Sequence, residues 1–286
     1  MNQDKIQGFL RELSGMREDL PFSPDVFQKL FVQTARGSIA SVEDIGQTLG
    51  EDQGLTTRIL RLANSAFYGL QSEVQSITRA SAVLGLAEIR NIVLALGVAG
   101  LTQSYALPDD FDIQAYWSHQ FFVASMSKEL SHMTDVGRPE TLFTAGLLHD
   151  IGKLVMALKR PDDWQAIREL AEDDELIDAV AEEEYWGVDH AVIGALVLKS
   201  WDLPADLVEP VNWHHSPALA PDHSLESNII CLADAVTRTV EDPESYYAEK
   251  VEQLCADVEV DMDEIMETAE EMVESDDIEQ FVKILS

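Results

Sequence analysis

The sequence predicts an all-α protein, and three observations support this. Apolar residues recur at helical spacing in almost every segment, and no segment alternates apolar and polar residues over the length of a strand. A capping residue followed by proline marks a helix start at Ser23 and Pro24. With 286 residues, of which 46% are hydrophobic, the chain can bury a sizeable core in one large domain or two ordinary ones.

The first part of the chain predicts a bundle of short helices, an N-terminal helical subdomain over residues 1–105. Its first helix follows Ser23 and ends at Gly37, and its second is capped by Ser41 and ends near Gly50. Asn64, near the end of the third helix, either contacts a ligand or satisfies the backbone of a neighbouring loop, and the second role is favoured. The remaining helices are predicted over residues 55–66, 77–84 and 89–101.

Longer helices are predicted beyond a linker at residues 105–110. They form a second helical bundle over residues 106–240, which begins with a helix at 112–133. The other helix starts are marked by a proline or a capping residue at Pro139, Asp189, Pro204 and Ser224.

Acidic residues are concentrated in two places. The stretch from Asp174 to Glu184 is predicted to be a solvated helix face. The last 46 residues, 241–286, hold 17 acidic residues and two lysines, yet Val251, Leu254 and Ile265 keep helical spacing. We therefore expect an acidic C-terminal helical extension that packs on the body of the protein.

The charge of the chain excludes several partners. The chain has 53 Asp and Glu residues and 19 Lys and Arg residues, which gives a net charge of −34. Binding to nucleic acid or to an anionic membrane depends on basic residues, so neither partner is expected. The longest apolar run, residues 92–101, is about half the ~20 residues that a membrane span needs. Two cysteines and no visible secretory signal indicate a reduced, cytoplasmic protein.

Histidines provide the clearest chemical signal. His149 is followed directly by Asp150, and His214 by His215. Imidazole and carboxylate together suit Fe, Mn, Zn or Ni rather than Ca. A lone buried histidine is more often a hydrogen-bonded core residue, and the His214 pair could also be an exposed turn. The joint pattern favours a metal site because its members come from different predicted helices. The candidates are His119, His149, Asp150, His190, His214, His215 and Asp234. His132 and His223 lie in polar surroundings and are interpreted as surface residues.

Two sequence motifs resemble a known family. Residues 144–153, TAGLLHDIGK, resemble the signature of the HD superfamily of metal-dependent phosphohydrolases. Residues 60–69, LRLANSAFYG, resemble the HDOD domain of bacterial signalling proteins, as do 20–21 and 77–85. The resemblance covers about residues 10–240. It implies an all-helical fold, in which an N-terminal helical subdomain packs on an HD-like bundle, and a role as a signalling output module.

The resemblance also implies roles for the candidate residues. According to the resemblance, the seven candidate histidines and aspartates are the ligands of a metal centre. This centre holds two divalent transition-metal ions, and Asp150 bridges them. Lys153 matches the lysine that contacts substrate phosphate, so Asp150 and Lys153 are the catalytic candidates. The chain departs from the related cyclic di-GMP phosphodiesterases at Ala115, where those enzymes place a glutamate, and in lacking a Gly-Tyr-Pro segment after His215.

Two functions follow from this reading. The first is a regulatory HDOD module that retains a metal centre and works with a signalling partner supplied in trans, because no receiver or kinase segment is recognised in the chain. The alternative is a metal-dependent phosphohydrolase that acts on a nucleotide-like phosphate ester. The regulatory module is favoured because the resemblance implies a mostly regulatory family and because the Gly-Tyr-Pro segment is absent. The net charge of −34 repels a phosphate substrate and weakens the hydrolase alternative without excluding it.

Overall fold

The protein is all-α in a computed structural model, which confirms the predicted fold class. The structure describes residues 3–13, 15–20, 24–34, 38–65, 68, 70, 72–102, 105–173 and 176–285, and none of these forms a strand. Of the predicted helix boundaries, Ser23, Gly37 and residue 66 lie outside the described residues. In chain order the helices are α1 (Gln3–Leu13), α2 (Pro24–Thr34), α3 (Val42–Gly50), α4 (Gln53–Ala63), α5 (Ile77–Leu84), α6 (Leu86–Leu101), α7 (Ile113–Thr134), α8 (Pro139–Leu148), α9 (Ile151–Lys159), α10 (Pro161–Asp173), α11 (Asp178–Trp186), α12 (His190–Ser200), α13 (Ala205–Trp213), α14 (Ser224–Glu241), α15 (Ala248–Asp257), α16 (Met262–Glu274) and α17 (Asp277–Leu285).

The chain divides into two compact units. The first unit comprises residues 1–16 and 105–278, and the second comprises residues 17–104 and 279–286. All the candidate metal ligands belong to the first unit.

Three helices of the second unit, α3, α4 and α5, begin at side-chain caps. Ser41 and Asp44 form a capping box, in which the Asp44 N–H donates to Ser41 Oγ and the Ser41 N–H donates to the Asp44 carboxylate.

Asn64, at the end of α4, donates to the Val74 carbonyl at 2.8 Å and accepts from the Val74 N–H at 2.6 Å. The structural role favoured for Asn64 is therefore confirmed.

The core of the first unit is built on α8 and α9. Residues 139–159 are long and apolar enough to cross a membrane, but the whole apolar window is buried inside the protein. Helices α5 and α6 are long and apolar enough to cross a membrane only if they are counted together, and the chain bends by 115° between them. In the first unit α8 packs on α7, and α9 packs on α12. The apolar stretch is therefore a core element of this unit.

The C-terminal extension contains packed helices, as its apolar spacing predicts. Helices α15 and α16 both contact α14. Their inward residues Val251, Ile265 and Ala269 are fully buried.

Helices α9 and α12 approach closely at Gly152. A Cβ atom at this position would lie 2.0 Å from the His190 carbonyl oxygen and 3.0 Å from the Gly194 nitrogen. Only glycine allows this approach, which brings the start of α12 against the start of α9.

We predict that Gly152→Ala destabilises the protein by about 1–3 kcal/mol, because backbone atoms must move to admit the methyl group. Urea denaturation measures the change. Gly8→Ala in α1 is the matched control: its Cβ would meet no described atom within 4 Å, and alanine has the higher helix propensity. Equal stability of the two variants would contradict the close-packing argument.

Candidate metal centre

Five segments of the first unit deliver the seven candidate ligands. His119 lies in the middle of α7, and Asp234 in α14. His149 and Asp150 form the turn between α8 and α9. His190 is the first residue of α12, which Asp189 caps by accepting from the Val192 N–H at 3.0 Å. His214 and His215 follow α13. Six of the seven are buried and His215 is half-buried, so the His214–His215 pair is not an exposed turn.

The ligand atoms form two adjoining groups. In the imidazole cluster, defined as His190, His214 and His215, one nitrogen of each ring lies within 4.8 Å of the others. In the mixed cluster, defined as His119, His149 and Asp150, the ligand atoms lie within the same distance of one another.

Asp150 links the two clusters, and Asp234 adds a second carboxylate to the mixed cluster. Asp150 Oδ1 is 2.8 Å from His190 Nε2, 3.5 Å from His149 Nε2 and 3.8 Å from His214 Nε2. Asp234 Oδ1 is 3.0 Å from His119 Nε2 and 3.7 Å from His149 Nε2. The structure therefore brings all seven predicted residues together around the buried carboxylates.

Hydrogen bonds at Nδ1 set the orientation of the inner imidazoles. His149 Nδ1 donates to the Gly146 carbonyl at 2.7 Å, and His214 Nδ1 donates to the Val211 carbonyl at 2.8 Å. Because a carbonyl only accepts, Nδ1 must carry the proton and Nε2 must present a lone pair. Neither Nε2 atom has a hydrogen-bond partner among the described residues. Buried lone pairs oriented in this way fit a metal ion, which would satisfy them.

His190 is oriented by a carboxylate. Its Nδ1 donates to Glu182 Oε2 at 2.7 Å, and its backbone N–H donates to the same oxygen at 2.6 Å. The Glu182 side chain is 1% exposed. This carboxylate–histidine pair resembles the outer partner that metal-bound histidines commonly have.

The pKa values of these groups fit a cation site. Burial and the neighbouring His149 and His190 rings lower the pKa of His214 to about 3, so this ring is neutral, the form that binds metal. Burial raises the pKa of Asp150, but His149 and Lys153 outweigh it and hold the pKa well below its usual value. Burial lowers the pKa of His190, but the Glu182 carboxylate outweighs it and raises the pKa to about 10. Metal-free His190 therefore holds a proton that a metal ion must displace.

Two cations also contact the aspartates. Lys153 Nζ lies 3.0 Å from Asp150 Oδ2 and 3.1 Å from Asp178 Oδ2. Arg238 Nε donates to Asp234 Oδ1 at 2.8 Å, and a second guanidinium nitrogen lies 3.5 Å from Asp150 Oδ2. The aspartates are thus shared between imidazoles and cations.

Sequence reasoning missed three residues of this centre: Asp178, Glu182 and Arg238. The prediction of a solvated face over residues 174–184 is wrong at Glu182, which is buried against His190. A signal was present, because Glu182 shares a helix face with the buried Ala179 and Trp186. Arg238 lies one helical turn after Asp234, but the sequence gives no sign of its contact with Asp150.

Cavities border both sides of the centre. One of about 350 Å³ is lined by His214, His215 and Asp234 together with Tyr247 and Lys250 of the C-terminal extension. The other, of about 390 Å³, is lined by residues that include His119, Asp150, Lys153 and Arg238. Each could hold a small polar ligand next to the candidate ligands.

Known proteins share this fold and sequence pattern. The chain is 28% identical to a predicted phosphohydrolase from Shewanella amazonensis SB2B, whose crystal structure superposes with a TM-score of 0.74 over 96% of this chain and 98% of that one. A predicted signal transduction protein from Marinobacter aquaeolei VT8 is 20% identical, with a TM-score of 0.79 over 100% of this chain and 66% of that one. An uncharacterised protein of Treponema pallidum (strain Nichols) is 25% identical over 207 residues, 72% of this chain. The chain spans about two fifths of the length of that relative, 39%.

A family model identifies the chain directly. The model of the HDOD domain matches residues 20–217, more than two thirds of the sequence. The resemblance drawn from the motifs at residues 60–69 and 144–153 is thereby confirmed. Asp234 and Arg238 lie beyond the matched range. The chain belongs to the HDOD domain family.

Proposed function

We propose that this chain is a regulatory signalling domain that holds a divalent transition-metal centre and relays its state to a partner protein supplied in trans. The observation that carries the proposal is the convergence of five imidazoles and two carboxylates in two adjoining clusters, in which the Nε2 atoms of His149 and His214 are buried and have no hydrogen-bond partner among the described residues. Such an arrangement costs desolvation free energy unless a cation satisfies it.

The chemistry of the donor set favours Fe, Mn, Zn or Ni. Neutral imidazoles with carboxylates suit these ions, whereas Ca and Mg prefer oxygen ligands alone. The imidazole and mixed clusters adjoin, with Asp150 between them, which gives the centre room for up to two ions.

Electrostatics support a regulatory role over turnover. Lys153 and Arg238 contact the aspartates of the centre and are already ion-paired with them. Lys250 lines one of the adjoining cavities and Arg168 the other. Glu183 and Asp189 line one cavity, and Asp178 and Glu241 line the other. A phosphate ester entering either cavity would have to compete with these carboxylates, in a protein of net charge −34. The same charge supports a protein partner rather than nucleic acid or membrane.

A second candidate function is hydrolysis of a nucleotide-like phosphate ester. It is favoured by the position of Lys153, which lines the larger cavity beside Asp150, and by the 28% identical relative that is named a predicted phosphohydrolase. A divalent ion, when bound, would supply Lewis acidity that lowers the pKa of water and stabilises charge on phosphoryl oxygens. In this function Asp150 would hold the metal, and Lys153 would donate hydrogen bonds to a phosphoryl oxygen.

His214→Ala and Asp150→Ala are each expected to abolish metal retention, because they remove an inward Nε2 atom of the imidazole cluster and the carboxylate between the clusters. Elemental analysis of protein purified without chelator measures the loss. His132→Ala, at an exposed position of α7, is the matched control and should retain the wild-type content. The ligand assignment fails if both variants keep their metal, and the proposed function fails if wild-type protein holds less than about one equivalent.

Metal loading is expected to release about one proton per chain at pH 8, because the pKa of His190 is raised to about 10 and the ring is protonated before loading. Since the proton competes with the ion, affinity should rise with pH up to that value. Titration calorimetry with Zn²⁺ in buffers of different ionisation enthalpy measures the release. Glu182→Gln removes the carboxylate that raises this pKa and should reduce the release. Heats that are independent of the buffer in wild-type protein would contradict the assignment of His190.

Turnover distinguishes the two candidate functions. The regulatory module is expected to hydrolyse phosphomonoesters, nucleotides and cyclic dinucleotides no faster than the metal-free protein. If a substrate is found, Lys153→Met should lower kcat/KM about 100-fold while metal content stays constant, as expected for loss of one charged donor. That result would replace the regulatory proposal with the hydrolase.

A further inference from the structure

The two oxygens of Asp150 face different kinds of partner. Oδ1 faces the imidazoles, with His190 Nε2 at 2.8 Å. Oδ2 faces two cations, with Lys153 Nζ at 3.0 Å and an Arg238 nitrogen at 3.5 Å. Half of this carboxylate is therefore already bound by positive charge from the protein itself.

Arg238 also covers the second aspartate. Its Nε donates to Asp234 Oδ1 at 2.8 Å, and the same oxygen lies 3.0 Å from His119 Nε2. The guanidinium thus contacts carboxylate oxygens of Asp234 and Asp150. A metal ion bound at the mixed cluster would need these oxygens as ligands. The described hydrogen bonds and ion pairs of the three imidazoles in the other cluster involve Asp150, Glu182, the Val211 carbonyl and one another, and none of them involves a Lys or Arg side chain.

The buried charges of the centre balance with a single ion. The buried or half-buried carboxylates in contact are Asp150, Asp234, Asp178 and Glu182, and the buried or half-buried cations paired with them are Lys153 and Arg238, which leaves a charge of −2 when the imidazoles are neutral. Arg168, which is exposed, also pairs with Asp178 at 3.8 Å and is not counted. One divalent ion neutralises this charge. A second would leave +2 in a buried site, with the half-exposed Glu241 and the helix-capping Asp189 as the remaining nearby carboxylates. Uncompensated buried charge is strongly unfavourable.

The position of Arg238 is held by its surroundings. It lies one helical turn after Asp234 on α14, and its guanidinium carbon lies 5.0 Å from the centre of the Tyr247 ring, within cation–π range. Tyr247 precedes α15, so the C-terminal extension supplies the surface on which the guanidinium rests.

We propose that Arg238 takes the place of a second metal ion: the resting centre loads one divalent ion, at the imidazole cluster, and the mixed cluster accepts a second only when Arg238 is displaced. This inference rests on the proposed metal centre and defines its stoichiometry. The alternative, in which Arg238 merely compensates Asp234 for stability, predicts no effect on the number of ions bound.

Mn²⁺ titration of the full chain tests the proposal. Native mass spectrometry counts the bound ions, and electron paramagnetic resonance separates isolated Mn²⁺ from spin-coupled pairs. Wild-type protein should bind one equivalent tightly and show the signal of isolated ions. Arg238→Gln should bind a second equivalent at least about 10-fold more tightly than wild type does and show the coupled signal, because a cation that repels the ion is gone.

Two further variants control for charge and for a general effect of arginine loss. Arg238→Lys keeps the positive charge and should remain at one equivalent. Arg138→Gln removes an arginine that pairs with Asp206 at 2.7 Å and contacts none of the candidate ligands in the described ion pairs, so it should match wild type. If Arg238→Gln does not fold, Tyr247→Leu provides the test: it removes the ring beneath the guanidinium and should tighten the second ion severalfold.

The outcomes separate this inference from the proposed function. Two equivalents of similar affinity in wild-type protein, or one equivalent in a folded Arg238→Gln variant, would overturn the role of Arg238 and leave the metal centre intact. Wild-type protein that binds no Mn²⁺, Zn²⁺, Fe²⁺ or Ni²⁺ would overturn the metal centre itself.

Discussion

Burial of the Asp150 carboxylate is the constraint on which the rest of the centre depends. Its side chain is 3% exposed, and it lies where α8 ends and α9 begins. A buried charge costs several kcal/mol unless it is paired and hydrogen-bonded. Here the compensation comes from α9, α12 and α14 and from the residues after α13. One carboxylate therefore ties four parts of the first unit to the same point, and each of those parts carries a candidate ligand or a cation.

The route from sequence to this geometry passes through close packing. Gly152 lets α9 meet the start of α12, which places His190 Nε2 within 2.8 Å of Asp150 Oδ1. Glu182 of α11 then holds His190 through both its ring and its backbone N–H. The HDIGK segment thus contributes more than its two candidate ligands, His149 and Asp150. Its glycine, Gly152, also allows His190 to lie within 2.8 Å of Asp150.

The sequence predicted local features well and long-range electrostatic partners poorly. Helical spacing located most of the helices, because burial of one face imposes a period that is visible in any short window. The adjacency of His149 and Asp150 revealed the centre for a similar reason, since both lie in one turn. The acidic composition of residues 174–184 predicts a solvated Glu182, whereas the structure buries it, because composition does not show which face of a helix is covered. The contact between Arg238 and Asp150 joins residues 88 positions apart, and no periodicity encodes such a pair.

Net charge and site charge are separate quantities in this protein. The net charge of −34 comes mainly from acidic residues outside the centre, many of them in the extension. Salt screens the field of such exposed charges over about 8–10 Å. What an ion meets is set by six buried or half-buried charged groups, and Asp234 and Arg238 among them lie beyond the segment that defines the family. Tyr247, which supports Arg238, lies further still. If Arg238 takes the place of a second ion, a chain can retain the whole family-matched segment and still differ in how many ions it holds, because Arg238 of α14 and the Tyr247 ring that supports it both lie beyond that segment.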